Sequence, residues 1–250
     1  MAILKTIFYE PLYNALVFLV SVVPGQDLGI AIILLTILVR IILFPLGQKS
    51  AKSQIELRML EPEIAKIKEE FKNNKEEQAK QTFALYKKHG VNPFSGCLLT
   101  LIQLPIIIAL YYVFLNGLGL NEDILYSFVS HPDSINNNFL GLIDITGKSL
   151  ILALLAGLTQ FIQAKLTAPL TSGKEKPGLK GDLMKSMQFQ MKYVLPIFVF
   201  FIAYTVSAGV ALYWAISNIF MIGQEIVVRR QLAKKHEHPE NIQYPISNIQ

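Results

Sequence analysis

Residues 28–47 read LGIAIILLTILVRIILFPLG, and this stretch decides the fold class of the chain. About 20 helical residues, at about 1.5 Å each, cover the roughly 30 Å hydrocarbon core of a bilayer. The stretch therefore predicts a membrane-spanning helix. It contains one charged residue, Arg40, which lies about 18 Å along the helix from Leu28.

Arg40 is too deep in this helix to reach water easily. The next charge, Lys49, lies about 13 Å further on, and an arginine near the middle of a span costs about 2.5–3.5 kcal/mol. Thr36 precedes Arg40 by one turn on the same face. An intramembrane charge usually lines a polar cavity. The alternative is a structural arginine that bonds carbonyl groups of neighbouring helices.

The composition predicts an all-α polytopic membrane protein. The chain has 250 residues, 52% hydrophobic and 16% charged, whereas a soluble domain carries about 25% charged residues. Its single cysteine, Cys97, provides no disulfide framework. The first 26 residues lack the features of a cleavable signal or a transit peptide, which favours a bacterial membrane.

Apolar runs predict a core of five transmembrane helices, and charge predicts how they are oriented. The basic segments are a hairpin at 48–90, a loop at 169–188 and the tail 231–250, which the positive-inside rule places in the cytoplasm. The loop at 117–147 contains acidic residues and no Lys or Arg, and is expected outside. The predicted spans are 28–47, 97–116, 150–168, 189–206 and 209–228.

Segment 48–90 differs from the spans because it holds ten Lys or Arg and seven Asp or Glu. Apolar residues recur at helical spacing, Asn73-Asn74 marks a turn and Gly90 a helix end. Pro62 should kink or restart the first helix. We interpret the segment as an antiparallel helical hairpin that rests on lipid headgroups or another protein. A solvated, partnerless charged surface is the alternative.

Residues 1–26 are predicted to form an N-terminal amphipathic helix that lies on the membrane. A sixth span at 7–23 is the alternative, and Asp27 is placed to cap the helix that follows. The residues on the predicted apolar face are Phe8, Leu12, Leu16, Leu19 and Val23. Those on the predicted polar face are Glu10, Asn14 and Ser21.

With these orientations, the polar residues inside the spans share the cytoplasmic half of the membrane with Arg40. They are Gln103, Gln160, Gln163, Ser217, Asn218 and Gln224. We expect a hydrated pocket that is closed outward and open to the cytoplasm or to lipid. The alternative is that these side chains only bond neighbouring helices together. Trp214 is too deep to be an interface anchor, and packing is its alternative role.

Four strings carry a family resemblance: TILVRIILFPL, RMLEPEIAKIKEEF, ALYKKHGVNPFSGCLLTLIQLPIIIALYYVF and GVALYWAISNIF. Over about residues 5–230 the chain resembles the YidC/Oxa/Alb membrane protein insertase family, in the form of a bacterial member without the large periplasmic domain. The resemblance implies five core helices, a cytoplasmic hairpin, and a groove lined by Arg40, by Gln163 or Gln160, and by Trp214. The chain departs from the family where proline is frequent, at Leu99 and Ser207.

The resemblance implies an insertase and chaperone for nascent membrane proteins, with the lipid bilayer as the second partner. The Sec translocon, the ribosome or the signal recognition particle receptor would dock on hairpin 48–90. No enzyme activity, cofactor or nucleotide is expected, since no phosphate-binding glycine motif is present. A small transporter or channel is the alternative, but it needs polar groups at both depths. An intramembrane enzyme is disfavoured because all four histidines lie outside the predicted spans.

Overall fold

The computed structural model describes residues 5–92, 94–116, 124–130, 132, 134–167 and 189–237. The predicted loop 169–188 and the end of the predicted tail, 238–250, lie outside the described residues. So does residue 168, the end of the third predicted span, and so do residues 117–123 of the acidic loop. The described part is mostly helical, as the composition predicts.

The helices begin and end as follows: α1 Glu10–Val22, α2 Leu28–Met59, α3 Glu61–Glu70, α4 Lys75–Lys88, α5 Ser95–Asn116, α6 Leu150–Thr167, α7 Leu195–Thr205 and α8 Ala208–Glu237. One π-helical turn precedes α1 at Lys5–Tyr9, and another precedes α7 at Gln190–Val194. Two short antiparallel strands, β1 Asn138–Phe139 and β2 Ile143–Asp144, pair Asn138 with Asp144 and Phe139 with Ile143.

Three helices of the described chain are long and apolar enough to cross a membrane, as judged by length and composition. The segments are Leu28–Leu57, Leu150–Thr167 and Ala208–Leu232. The second and fourth predicted spans correspond to shorter apolar helices, Leu101–Leu115 and Gln190–Thr205. These features are those of an all-α membrane protein.

Helix α8 lies at the centre of the bundle and packs most extensively against α2 and α6. It is parallel to both. Its contacts with α2 pair Ile32 with Gly209 and Phe44 with Gln224. Its contacts with α6 pair Gln160 with Trp214 and Leu166 with Arg229, so in each case the residue numbers rise together along the two helices. Contacts between α5 and α8 pair Phe114 with Gly209 and Gln103 with Tyr213, so the residue numbers run in opposite directions along these two helices. The same holds for α6 and the segment with α7, where Gly157 contacts Phe200 and Phe161 contacts Tyr193. Helices α5 and α7 therefore run opposite to α2, α6 and α8.

Helix α1 packs its predicted apolar face on the core, but its predicted polar face is partly wrong. Asn14 is only 2% exposed. Its Nδ2 donates to the Ile124 carbonyl at 2.8 Å, and its Oδ1 accepts from the Tyr126 N–H at 2.7 Å. The apolar Phe18 and Val22 are exposed instead. A distant loop satisfies Asn14, which a helical pattern read along α1 alone cannot reveal.

A segment at 134–149 covers the end of the bundle where α2 and α8 begin. Asp27 caps α2 as predicted, since its Oδ1 accepts from the Ile30 N–H at 3.1 Å, and its Oδ2 also accepts from the Leu140 N–H at 2.9 Å. The first N–H groups of α8 donate to the carbonyls of Gly147 and Ile145 at 2.7 and 3.0 Å. Protein acceptors thereby satisfy N–H groups at both helix starts.

The same segment packs tightly against α2. A Cβ on Gly29 would lie 2.3 Å from the Phe139 ring, so only glycine allows this approach. The covering segment is therefore fixed to the bundle by packing as well as by hydrogen bonds.

The predicted hairpin is present as α3 and α4, but its first helix starts later than position 48. Helix α2 continues to Met59, and Pro62 lies in the first turn of α3, so the expected restart is confirmed. Asn74 caps α4 by accepting from the Glu77 N–H, and Gly90 ends it with φ 65°. The sequence changes from apolar to highly charged at position 48. Residues 48–59 still favour a helical backbone, however, so α2 does not end there.

The hairpin has a small apolar cluster of its own, separate from the bundle core. Its buried members are Leu60, Leu85 and Val91, with Tyr86 packed against them. Burial raises the pKa of the Tyr86 phenol.

Candidate functional site

Helix α8 carries two adjacent polar rows. Tyr213, Ser217 and Gln224 follow helical spacing along one row, and Trp214, Asn218 and Glu225 follow it along the next. The first row meets α2 and α5, and the second meets α6. The central helix therefore presents polar side chains to three neighbours within an apolar bundle.

The first row pairs with α5 and α2. Gln103 Nε2 donates to Tyr213 Oη at 2.6 Å, and Gln224 Nε2 donates to the Phe44 carbonyl at 2.8 Å. A Cβ on Gly47 would lie 2.7 Å from Gln224 Oε1, so a larger residue there would displace the amide end of Gln224. Tyr213 is a site residue that the sequence reasoning missed. The available signal was that a tyrosine hydroxyl in an apolar run needs a partner.

Arg40 is 4% exposed. It lies on α2 between the contacts of Ile32 with Gly209 and of Phe44 with Gln224, which places it along the part of α8 that carries this first row. The Thr36 hydroxyl donates to the Ile32 carbonyl of its own helix at 2.6 Å, so its oxygen remains able only to accept a further hydrogen bond. Within the described ranges Arg40 has no acidic partner, and its Nε has no hydrogen-bond partner.

The second row pairs with α6 and brings together four of the predicted residues. Trp214 Nε1 donates to Gln160 Oε1 at 3.1 Å, and Gln160 Nε2 lies 3.4 Å from Gln163 Oε1. Asn218 Nδ2 donates to Thr159 Oγ1 at 3.3 Å. Thr159, which the sequence analysis did not single out, thus belongs to this row. Gln160, Gln163 and Trp214 are half-buried, whereas Asn218 is fully buried.

Several buried polar atoms of the site have unused hydrogen-bonding capacity. Among the side chains that the structure describes, those without a partner include Arg40 Nε, Gln103 Oε1, Ser217 Oγ and Asn218 Oδ1. An unsatisfied buried group costs about 1–3 kcal/mol. These atoms can therefore bind water or the polar groups of a ligand.

The buried acidic residue of α8 is engaged elsewhere. Glu225 accepts from Arg229 Nε at 3.1 Å, and Arg229 Nη2 donates to the Leu166 carbonyl of α6. This ion pair satisfies Glu225 and ties α8 to the end of α6. It leaves the positive charge of Arg40 unneutralised by Glu225.

The chemistry that the site offers is that of amides, hydroxyls, one indole and one guanidinium. Such groups bind by hydrogen bonds and by positive charge. In the part of the chain that the structure describes, no group of three or more His, Cys, Asp or Glu side chains could hold a metal ion.

Comparison with known proteins gives one family. Residues 18–235 match the model of the 60Kd inner membrane protein family. The membrane protein insertase YidC of Clostridium tetani is 33% identical over 214 residues, which are 85% of this chain and 86% of that protein. The membrane protein insertase MisCA of Bacillus subtilis is 32% identical over 232 residues, 91% of this chain and 80% of that protein.

A longer relative shares the same region. The membrane protein insertase YidC of Pelobacter propionicus is 34% identical over 228 residues, which are 90% of this chain but only 39% of that protein. The chain therefore spans less than half the length of some relatives and most of the length of others.

The indole contact gives a spectroscopic prediction, because Trp214 is the single tryptophan of the chain. Gln160→Leu removes the acceptor of the indole N–H, so the fluorescence emission of Trp214 should shift to shorter wavelength. Stability should fall by about 0.6 kcal/mol, the average for such bonds in membranes. Gln163→Leu is the control, since it leaves the indole bond intact and should leave the spectrum unchanged. Identical spectra for wild type and Gln160→Leu would show that this bond does not form.

Proposed function

Because the chain belongs to the 60Kd inner membrane protein family, we propose that it is a membrane protein insertase and chaperone. Relatives that it matches over most of their length carry the name membrane protein insertase. The relatives are bacterial, and three helices can cross a membrane, so the proposed location is the bacterial cell membrane. Its substrates are nascent membrane proteins, and no covalent reaction is required.

One observation carries the mechanism: Arg40, on a helix packed against α8 and its polar rows, is buried and has unused hydrogen-bonding capacity. In the proposed five-span arrangement, Arg40 and these rows form a hydrated groove in the cytoplasmic half of the bilayer. The groove comprises Arg40, Thr36, Gln103, Gln160, Gln163, Trp214, Ser217 and Asn218. It shortens the apolar distance that a polar substrate segment must cross, and Arg40 favours segments with acidic or polar groups.

Release into lipid follows from the hydrophobic effect. The apolar helix of the substrate moves from the groove into the bilayer, and each Å² of apolar surface that leaves water contributes about 25 cal/mol. The groups in the groove only need to bind the polar segment transiently. No nucleotide is needed for this step.

The two ends of the bundle support a one-sided groove rather than a channel. Segment 134–149 closes the end where α2 and α8 begin, by hydrogen bonds to both helices. Counted within the predicted spans 28–47, 97–116 and 150–168, Arg40, Gln103, Gln160 and Gln163 lie beyond the midpoint from this covered end, whereas Thr36 and Trp214 lie nearer to it. A channel would need polar groups along its whole length.

We assign the hairpin, loop 169–188 and the C-terminus to the cytoplasm on the basis of their charge. Helices α3 and α4 carry interleaved charges and pack through their own small cluster. This exposed, separately packed unit is suited to dock the Sec translocon, the ribosome or the signal recognition particle receptor. It would deliver substrate to the groove.

The charge of Arg40 is tested by insertion of a single-span client with an acidic tail into proteoliposomes. Arg40→Lys keeps the charge and should retain most activity. Arg40→Ala should reduce insertion about 10-fold or more, since charge-assisted hydrogen bonds contribute about 1.5–3 kcal/mol. Arg230→Ala removes the same charge from an exposed position of α8 and should behave as wild type. Full activity of Arg40→Ala would contradict the electrostatic role.

The hairpin is tested by replacing residues 61–88 with a short Gly/Ser linker, which leaves α2 and α5 intact. Binding of ribosomes or targeting receptor, and insertion that depends on them, should be lost. The emission of Trp214 should stay unchanged, because the indole contact lies in the bundle. Unaltered binding and insertion would remove the hairpin from the mechanism.

A further inference from the structure

The turn between β1 and β2 carries two leucines that the bundle does not cover. In this turn, residues 140–142, Leu140 is 63% exposed and Leu142 is 84% exposed. Burial of a leucine side chain stabilises a protein, so two exposed leucines on one turn indicate contact with something outside the chain. None of the proposed groove residues lies on this turn, which we call the β tip.

The backbone of the β tip is unfavourable for a leucine. Leu140 has φ 52° and Gly141 has φ 71°, and the Leu142 N–H closes the turn by donating to the Phe139 carbonyl at 3.0 Å. Tight turns with two left-handed central residues are usually Asn-Gly or Asp-Gly, since a larger side chain is strained there. Because Leu140 is mostly exposed, contacts within the described chain do little to offset that strain. The residue therefore fits a role in which something else covers its side chain.

Hydrogen bonds and packing hold the β tip beside the helix starts. The Leu140 N–H donates to Asp27 Oδ2 at 2.9 Å, and Asp27 directly precedes α2. The neighbouring Phe139 ring lies against Gly29, in the first turn of α2. The same segment also accepts hydrogen bonds from N–H groups in the first turns of α8 and α6. Among the described helices, these three are long and apolar enough to cross a membrane, so the β tip lies near the level where their spans begin.

The composition of this hairpin suits the boundary between water and hydrocarbon. Residues 134–143 contain no charged side chain, so entry of the β tip requires no ion to leave water. The headgroup layer adds roughly 5–7 Å on each side of the hydrocarbon core, and a turn bonded to the residue before a span lies within this layer. Leucine side chains there reach the first acyl carbons while the polar backbone stays hydrated, as in interfacial helices.

The last turns of α1 also carry exposed apolar side chains, Phe18 and Val22. The Asn136 N–H of the hairpin segment donates to the Gln26 carbonyl at 3.0 Å, in the connection between α1 and α2. The end of α1 and the hairpin segment are therefore held together where α2 begins. Lipid covers every exposed side chain at its level, whereas a protein partner needs one continuous patch, so lipid is the occupant that fits a surface shared by two elements.

We propose that the β tip inserts Leu140 and Leu142 into the bilayer, in the leaflet opposite the cytoplasm. The occupant of this surface is lipid, and the contact needs no particular headgroup, because the β tip carries no charge that would select one. Insertion anchors segment 134–149, which closes this end of the bundle. The inference requires the long helices to span a membrane, but it does not depend on insertase activity.

The depth of the β tip is measured by spin-label EPR on the full-length protein in liposomes of phosphatidylcholine and phosphatidylglycerol, with Cys97 replaced by serine. A nitroxide on Leu142→Cys should be more accessible to oxygen, which partitions into lipid, than to a water-soluble nickel chelate. Two reference labels bracket the scale. They are Ile151→Cys, at an exposed apolar position in the first turn of α6, and Lys80→Cys, at an exposed charged position of α4. The Leu142 label should resemble the first reference and differ from the second.

A second variant tests the anchor without disrupting the turn. Leu140→Asn suits the left-handed backbone and removes the apolar side chain, so it should move the Leu142 label toward water. The matched control is Phe83→Asn, which removes an exposed apolar side chain from α4 and should leave the depth of the Leu142 label unchanged.

Three results would overturn the proposal. A Leu142 label as open to the nickel chelate as the Lys80 label would place the β tip in water, where its leucines would be a surface for a protein on that side. An unchanged depth in Leu140→Asn would show that Leu140 does not anchor the turn. Free access of the nickel chelate to the Ile151 label would remove the level that we assign to the helix starts.

Discussion

A polar side chain inside an apolar bundle must find its partner on a neighbouring helix, because lipid offers none. This constraint fixes α8 between α2, α5 and α6. Tyr213 accepts from Gln103, Gln224 reaches the Phe44 carbonyl, and Trp214 donates to α6. Because neighbouring positions of α8 face different helices, one helix sets the rotation and depth of three others.

The same rows supply the stability of the bundle and the chemistry of the site. Some of their atoms are paired between helices, while Ser217 Oγ, Gln103 Oε1 and Asn218 Oδ1 have no partner among the described residues. Arg40 adds a charge that the buried Glu225 cannot neutralise, since Glu225 is bound to Arg229. Pairing therefore explains why the helices associate, and the unpaired atoms supply the hydrogen-bonding capacity that the proposed groove would use. Both roles that the sequence left open for these residues are compatible.

Much of the fold follows from the sequence because the apolar runs are long and the charges are concentrated between them. The start of α2 at Asp27, the restart at Pro62 and the end of α4 at Gly90 are local signals, and they are confirmed. The end of α2 was harder to predict, because a change in charge does not end a helix. Asn14 was misjudged since its partners, at 124 and 126, are remote in sequence.

The candidate site was predictable only where residue type was unusual for its place. Arg40 and the glutamines stand out in apolar runs, and the structure brings Gln160, Gln163 and Trp214 together. Tyr213 does not stand out, because tyrosine counts as apolar until its hydroxyl is located against Gln103.

Hydration can be measured directly by thiol labelling in proteoliposomes. Cys97 is replaced by serine, and single cysteines are introduced as Ser217→Cys, at an unpaired position of α8, and as Ala211→Cys, nearer the covered end of the same helix. Both positions are buried in the bundle. A groove open to the cytoplasm predicts that a small, membrane-impermeant methanethiosulfonate labels the Ser217→Cys protein and spares the Ala211→Cys protein. Equal labelling of the two, or none of either, would contradict a hydrated one-sided groove.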